Sequence, residues 1–304
     1  MQDQERKMKA AAKRLFDDQK VDVVVGFRKG SLPNSSRPYF ARSAADAEHL
    51  VWNGFCTANL AAFLPKLFEK PARPKDGYKP PRIAVIAKGC DGRSVSGLIK
   101  ENQVPRSNLI VIGVPCHGMV TSNKGAKAKK EEVARACQEC VSPTVKDADI
   151  TIDGEGRKPA KTAYARVKAF AGKSSEERWK AFVKEISKCI RCNACREACP
   201  NCYCKTCFAD QRKPSWVSPA NELSETIVFH MGRMFHQAGR CVECDACVNA
   251  CPMGIDLRLF TQKLAQDALD LFGSTPGIAG DEVPMLNTFA QDDSQCFITD
   301  PEEK

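Results

Sequence analysis

Two stretches, CIRCNACREACP at residues 189–200 and CVECDACVNACP at 241–252, repeat the pattern C-x2-C-x2-C-x3-C-P. Nothing else in the chain restricts its fold so tightly. Three thiolates two residues apart wrap one face of an iron–sulfur cubane, and the amides between them can donate to its sulfurs. The fourth cysteine points away, and the proline redirects the chain. In two-cluster proteins that fourth cysteine ligates the opposite cluster. The pattern therefore assigns Cys189, Cys192, Cys195 and Cys251 to one [4Fe–4S] cluster, and Cys241, Cys244, Cys247 and Cys199 to a second. Zinc ribbons also use CxxC pairs, but four ligands per ion do not require this rhythm twice.

The segment upstream has a different texture. VDVVVGF (21–27), RIAVIAKGC (82–90) and NLIVIGVPC (108–116) are apolar, β-branched runs separated by helix-like stretches. Such runs suit strands buried on both faces, and crossovers this short predict a parallel α/β sheet with helices on both sides. DGRSVSGLIKEN reads as the helix after the second run, with Asp91 near its N-terminus. Ligands of such sheets bind beyond the carboxyl ends of the strands, where Cys90 and Cys116 fall. CQEC adds Cys137 and Cys140. These four thiols suffice for a third [4Fe–4S] cluster or for one zinc; the alternative makes each a small buried hydrophobe.

Residues 141–175 have mixed polarity and read as a connector with a short strand pair. From 176 the pattern is helical in EERWKAFVKEISK, NELSETIVFHMGRMFHQAG and LRLFTQKLAQDALDLF. The expected architecture is thus an α/β parallel-sheet domain over 1–150, a connector over 151–175, a mainly helical domain holding two clusters over 176–272, and an acidic tail over 273–304.

Five thiols remain: Cys56, Cys202, Cys204, Cys207 and Cys296. CYCKTC packs three into six residues. With Cys56, or with a ligand from a partner, they could hold a further metal; equally, they could line the two clusters and tune them. Cys195, Cys199 and Cys202 also match the C-x3-C-x2-C spacing of radical S-adenosylmethionine enzymes. That motif belongs in a loop after the first strand of a β/α barrel, and no strand–helix repeats follow here. Among the histidines, His117 beside Cys116 is a ligand or a local hydrogen-bonding group, while His230 and His236 read as packing residues. No nucleophile–base pair stands out, and GFRKGS is too weak a phosphate-binding fingerprint to use.

Seventeen cysteines would suit a short secreted disulfide scaffold. This chain opens MQDQERKMKAAAKRLF, without an apolar signal region, and holds no apolar run long enough for a membrane span. The expectation is reduced metal ligands in a cytoplasmic protein. Residues 124–188 carry 16 Lys/Arg against 10 Asp/Glu, but acids interleave the bases and aromatics are few. That pattern suits a solvated face rather than a nucleic-acid surface.

Several of these stretches together resemble the coenzyme F-420 hydrogenase/dehydrogenase beta-subunit family: WNGFCTANLA, KGCDGRSVSGLIKENQVPRSNLIVIGVPCHG, CQECVSP, CIRCNACREACPNCYCKTCF and AGRCVECDACVNACPMGI. The closest similarity is to members with a dicluster ferredoxin domain. The resemblance implies a subunit that accompanies formate dehydrogenases, hydrogenases or heterodisulfide-reductase-like flavoproteins of anaerobes. It places Cys90, Cys116, Cys137 and Cys140 in the family's cluster-associated segments. It also implies FAD, which several members use to exchange electrons with a deazaflavin. Two further readings stand beside an electron-transfer subunit: a flavin-containing subunit acting itself on a small carrier, and a module whose metals organise an interface.

Overall fold

The computed structural model describes residues 1–73, 76–120, 133–160, 164–278 and 283–285. Cys296, the basic stretch 124–130 and most of the expected acidic tail lie outside them.

A five-stranded sheet occupies the first half, ordered β2-β1-β3-β4-β5. Its strands are β1 (Val23–Lys29), β2 (Ser36–Ala41), β3 (Ile83–Ala87), β4 (Leu109–Gly113) and β5 (Ile150–Thr151). β1, β3, β4 and β5 run parallel, and β2 pairs antiparallel with β1 at the edge. Alternation along the central strands decides which helix each face receives. Val23, Val25, Phe27, Ile83, Val85, Leu109 and Val111 pack with α2 (Leu64–Phe68) and α3 (Gly89–Lys100). Val24, Ala84, Ile86 and Ile112 face α1 (Gln2–Asp17), which buries Met8, Ala12 and Leu15 at helical spacing. Both faces are covered, as the continuous apolar runs require.

Two local expectations are corrected. The second apolar run was expected to stay extended to Cys90; β3 stops at Ala87, and Cys90 sits in the first turn of α3. Asp91 sets that boundary by accepting the Lys88 backbone N–H at 2.8 Å, which starts the helix directly after Ala87. The antiparallel β2, SRPYFA, had no clear alternation and went unread; its side chains are mostly half-buried, as suits an edge strand.

Beyond residue 164 the described chain is helical: α5 (Ala165–Ala171), α6 (Ser175–Ile186), α7 (Ala194–Glu197), α8 (Leu223–His236), α9 (Ala246–Ala250) and α10 (Leu257–Phe272). A short α4 (Arg135–Gln138) lies earlier, in the CQEC segment. Ser174 caps α6 reciprocally with Glu177. No described helix is long and apolar enough to cross a membrane.

Candidate metal centres

The two cysteine runs have the same backbone. Arg191 and Asn193 in the first, and Glu243 and Asp245 in the second, occupy matched positions with φ between 50° and 61°. Left-handed residues at these points turn each amide inward, and Asn and Asp tolerate them best. The Arg191 N–H reaches Cys189 Sγ at 3.3 Å, and Ile255 N–H reaches Cys251 Sγ at 3.5 Å. Each run then enters a short helix, α7 or α9, and these two pack together.

Cys189, Cys192, Cys195 and Cys251, one from the opposite run, line a single cavity with Arg191, Phe229 and His230. For the other set, Cys247 feels the charges of Cys241 and Cys244, and Cys199 that of Cys247. Burial pushes the Cys241 thiol up to about 12. Arg233 of α8 stands between the sets: it donates to Cys195 O at 2.8 Å, and its charge reaches Cys195, Cys202, Cys199 and Cys247.

The fourfold set from the α/β half meets in another cavity. Cys90, Cys116, Cys137 and Cys140 line it together with Lys88, Arg93 and, from the second run, Cys244, Asp245 and Arg258. Its parts arrive from the carboxyl edge of the sheet. β3 leads to Cys90 and β4 to Cys116. The CQECVSP segment docks on top, with Pro143 O accepting the Cys116 N–H at 3.0 Å. Backbone amides donate to sulfur here too, Met119 to Cys137 at 3.2 Å and Gly118 to Cys116 at 3.4 Å. Burial pushes Cys116 up to about 12, against the pull of the Gly118 amide and of Lys88. Lys88, 2% exposed, is the most deeply buried of the cations lining this cavity, beside Arg93 and Arg258. Asp91 (2.8 Å) and Ala58 O (2.8 Å) hold its ammonium, which lies 4.8 Å from the Phe27 ring centroid.

The remaining thiols divide. Cys202 lies beside Cys199, and Gln237 at the end of α8 spans the pair: its Nε2 is 3.4 Å from Cys202 Sγ, and its Oε1 3.5 Å from Cys199 Sγ. The neighbouring Cys199 side chain and the charge of Arg233 lower the pKa of Cys202. Cys207 engages Arg196, and Cys204 is exposed. Cys56 is elsewhere, fully buried in the α/β core and held within its own turn by Asn53 and Val51. His117 contacts Gln4 at 3.2 Å. Tyr203, between Cys202 and Cys204, bonds to Glu101 at the end of α3, and Arg240 grips the same carboxylate at 2.6 Å. Sequence reasoning passed over Lys88, Arg233 and Tyr203, for which no local signal exists.

Buried polar atoms test whether these walls suit an anionic cofactor. Among the described residues, the buried atoms without a hydrogen-bond partner include Arg93 Nη2, Arg191 Nε, Arg233 Nε, Arg258 Nε, both ring nitrogens of His230 and Asp245 Oδ1, besides two glutamine oxygens of α10. The arginines, His230 and Asp245 belong to residues lining the thiol sets or standing between them. Unpaired buried donors are rare in folded proteins, and several around thiol-lined cavities fit a sulfur-rich anionic group. No three or more His, Cys, Asp or Glu side chains among the described residues form a single-ion site.

No protein-family model matches the chain. Two curated proteins are similar over nearly its whole length. The F420-dependent formate dehydrogenase subunit beta of Methanocaldococcus jannaschii is 23% identical over 367 aligned positions, covering 91% of this chain and 93% of the relative. The F420-dependent formate dehydrogenase 1 subunit beta of Methanococcus maripaludis is 22% identical, covering 91% and 92%. The chain is thus similar over most of its length to beta subunits of F420-dependent formate dehydrogenases, in agreement with the resemblance of its cysteine contexts.

Proposed function

We propose that this chain is the iron–sulfur subunit of an oxidoreductase complex, passing electrons one at a time between a catalytic subunit and a carrier or partner. It comprises an α/β domain over 1–150, a connector over 151–175 and a helical ferredoxin domain over 176–272. Cys189, Cys192, Cys195 and Cys251 hold one [4Fe–4S] cluster, and Cys241, Cys244, Cys247 and Cys199 the second. Cys90, Cys116, Cys137 and Cys140 hold a third. Bound clusters supply one-electron chemistry, and the protein sets their potentials through thiolate ligation, amide donors, nearby charge and burial. Cys56, Cys202, Cys204 and Cys207 stay outside these sets, in keeping with the separate burial of Cys56.

One observation carries the reading: the cavity of Cys90, Cys116, Cys137 and Cys140 is also lined by Cys244 of the second run. Three thiol sets thus follow one another across the molecule, as an electron path requires. The Asn59 amide, reaching the Cys90 carbonyl at 3.4 Å, also donates toward the Cys244 sulfur, so one side chain ties the two sets together. By likeness to the named relatives, the complex is a formate dehydrogenase that uses F420.

Iron and acid-labile sulfide counts on anaerobically purified protein test the assignment. The reading expects about 12 irons per chain, falling to about 8 in Cys116→Ser or Cys137→Ser with the dicluster EPR signals retained. Fewer than about 8 in fully loaded wild type would sink the dicluster, and an unchanged count in both variants would remove the third centre.

A further inference from the structure

α8 leads into the second cysteine run, and its buried face comprises Thr226, Phe229, His230, Arg233 and Met234. His230 on this face is 1% exposed, and neither ring nitrogen has a partner among the described residues. The ring lines the cavity shared by Cys189, Cys192, Cys195 and Cys251. Its aromatic neighbour Phe229 meets it edge-on at 5.0 Å and offers no lone pair. The nearby charges are the guanidinium groups of Arg191 and Arg233, which are donors only. A neutral imidazole always carries one N–H, and leaving it unpaired in a buried site is costly. A residue present only for packing would not need that polar group. The cavity that the ring lines offers it the four cysteine sulfurs, and whatever they bind, as acceptors.

We propose that His230 donates a hydrogen bond from its neutral ring to a sulfur of the [4Fe–4S] cluster held by Cys189, Cys192, Cys195 and Cys251, raising that cluster's reduction potential. The inference rests on the cluster assignment above. Its physical basis is that reduction adds one negative charge to the cluster, so a fixed donor binds the reduced state more strongly. His230 is then a tuning residue and neither a ligand nor a packing residue.

The test uses the full chain, purified anaerobically, with EPR-monitored redox titration; the relevant signal is the one altered by Cys192→Ser. His230→Leu is expected to keep the wild-type iron and sulfide count while its midpoint moves negative. At the wild-type midpoint its reduced-to-oxidised ratio falls about tenfold, about 59 mV for a one-electron couple. His230→Gln, which keeps an N–H, should fall between the two. An unchanged midpoint in a fully loaded His230→Leu protein overturns the proposal. The chain has four histidines, so 15N-histidine labelling gives a second readout on wild type that does not depend on a variant folding. A 15N hyperfine coupling on the reduced cluster is expected, and its absence from protein with full iron overturns the donor alone. Wild type without the iron overturns the cluster assignment first and the donor with it.

Discussion

Lys88 shows how one side chain can hold together a site that no motif advertises. Its ammonium is buried, yet the charge of Asp91 at 2.8 Å outweighs the cost of desolvation, and it stays cationic. Removing it leaves the Asp91 carboxylate buried without its counter-charge. Lys88→Met is therefore expected to destabilise the protein by about 3–5 kcal/mol in chemical denaturation, with Lys88→Met/Asp91→Asn recovering much of the loss. A loss under ~1 kcal/mol would show that the pair contributes little. In the sequence, Lys88 is merely a polar residue after an apolar run. Its burial arises only because Phe27, Ala58 and Asp91 converge on it from separate segments. Asn193 and Asp245 were more legible, since each stands at the same step of a repeated motif and belongs to a residue type that accepts left-handed backbone.

Among the elements, the start of α3 is where the sheet becomes a site. A Cβ on Gly89 would lie 1.8 Å from Ser142 O and 3.0 Å from the Pro143 carbonyl carbon, so the CQECVSP segment presses directly on this glycine. Gly89→Ala must push that backbone away and separate Cys90 from Cys137 and Cys140. The expected result is loss of about 4 irons with both dicluster signals intact. Full iron in the variant would contradict this account of how the third set is assembled. β1, β3 and β4 were readable from their β-branched runs, and α1, α6, α8 and α10 from their helical spacing. The end of β3 was not, because capping by Asp91 competes with apolar content there. The chemistry of α8 was hidden for another reason: His230, Arg233 and Gln237 look like ordinary polar interruptions until the helix is set against both thiol sets.

For the whole molecule, the two halves differ in what holds them. The sheet has apolar cores on both faces, whereas the helical core of Ile186, Cys195, Met234, Ile255 and Leu257 is completed by Cys189, Cys247 and Cys251. If these cysteines ligate clusters as proposed, metal binding is coupled to folding of this core. Oxidative iron removal with a chelator should therefore strip amide protection from α7, α8 and α9 while β1, β3 and β4 keep theirs, as read by hydrogen exchange. Uniform loss across both halves would show a single cooperative unit. The halves are also tied by charge: Arg258 of α10 pairs with Glu139 of the CQEC segment at 2.5 Å, and Arg93 of α3 donates to Val242 O at 3.2 Å.

The proposed class of chemistry was legible in the sequence by itself, because ligand spacing is local: a cubane must be wrapped within a few residues, and that rhythm is written twice. The sequence also determined the strand runs, whose burial on two faces demands unbroken apolar residues. Only the tertiary structure decided which distant thiols share a cavity, that Cys244 adjoins the set from the sheet edge, and that Cys56 is a core residue apart from Cys202, Cys204 and Cys207. Those relations depend on how strands, loops and helices far apart in the chain pack together, and no local spacing encodes that.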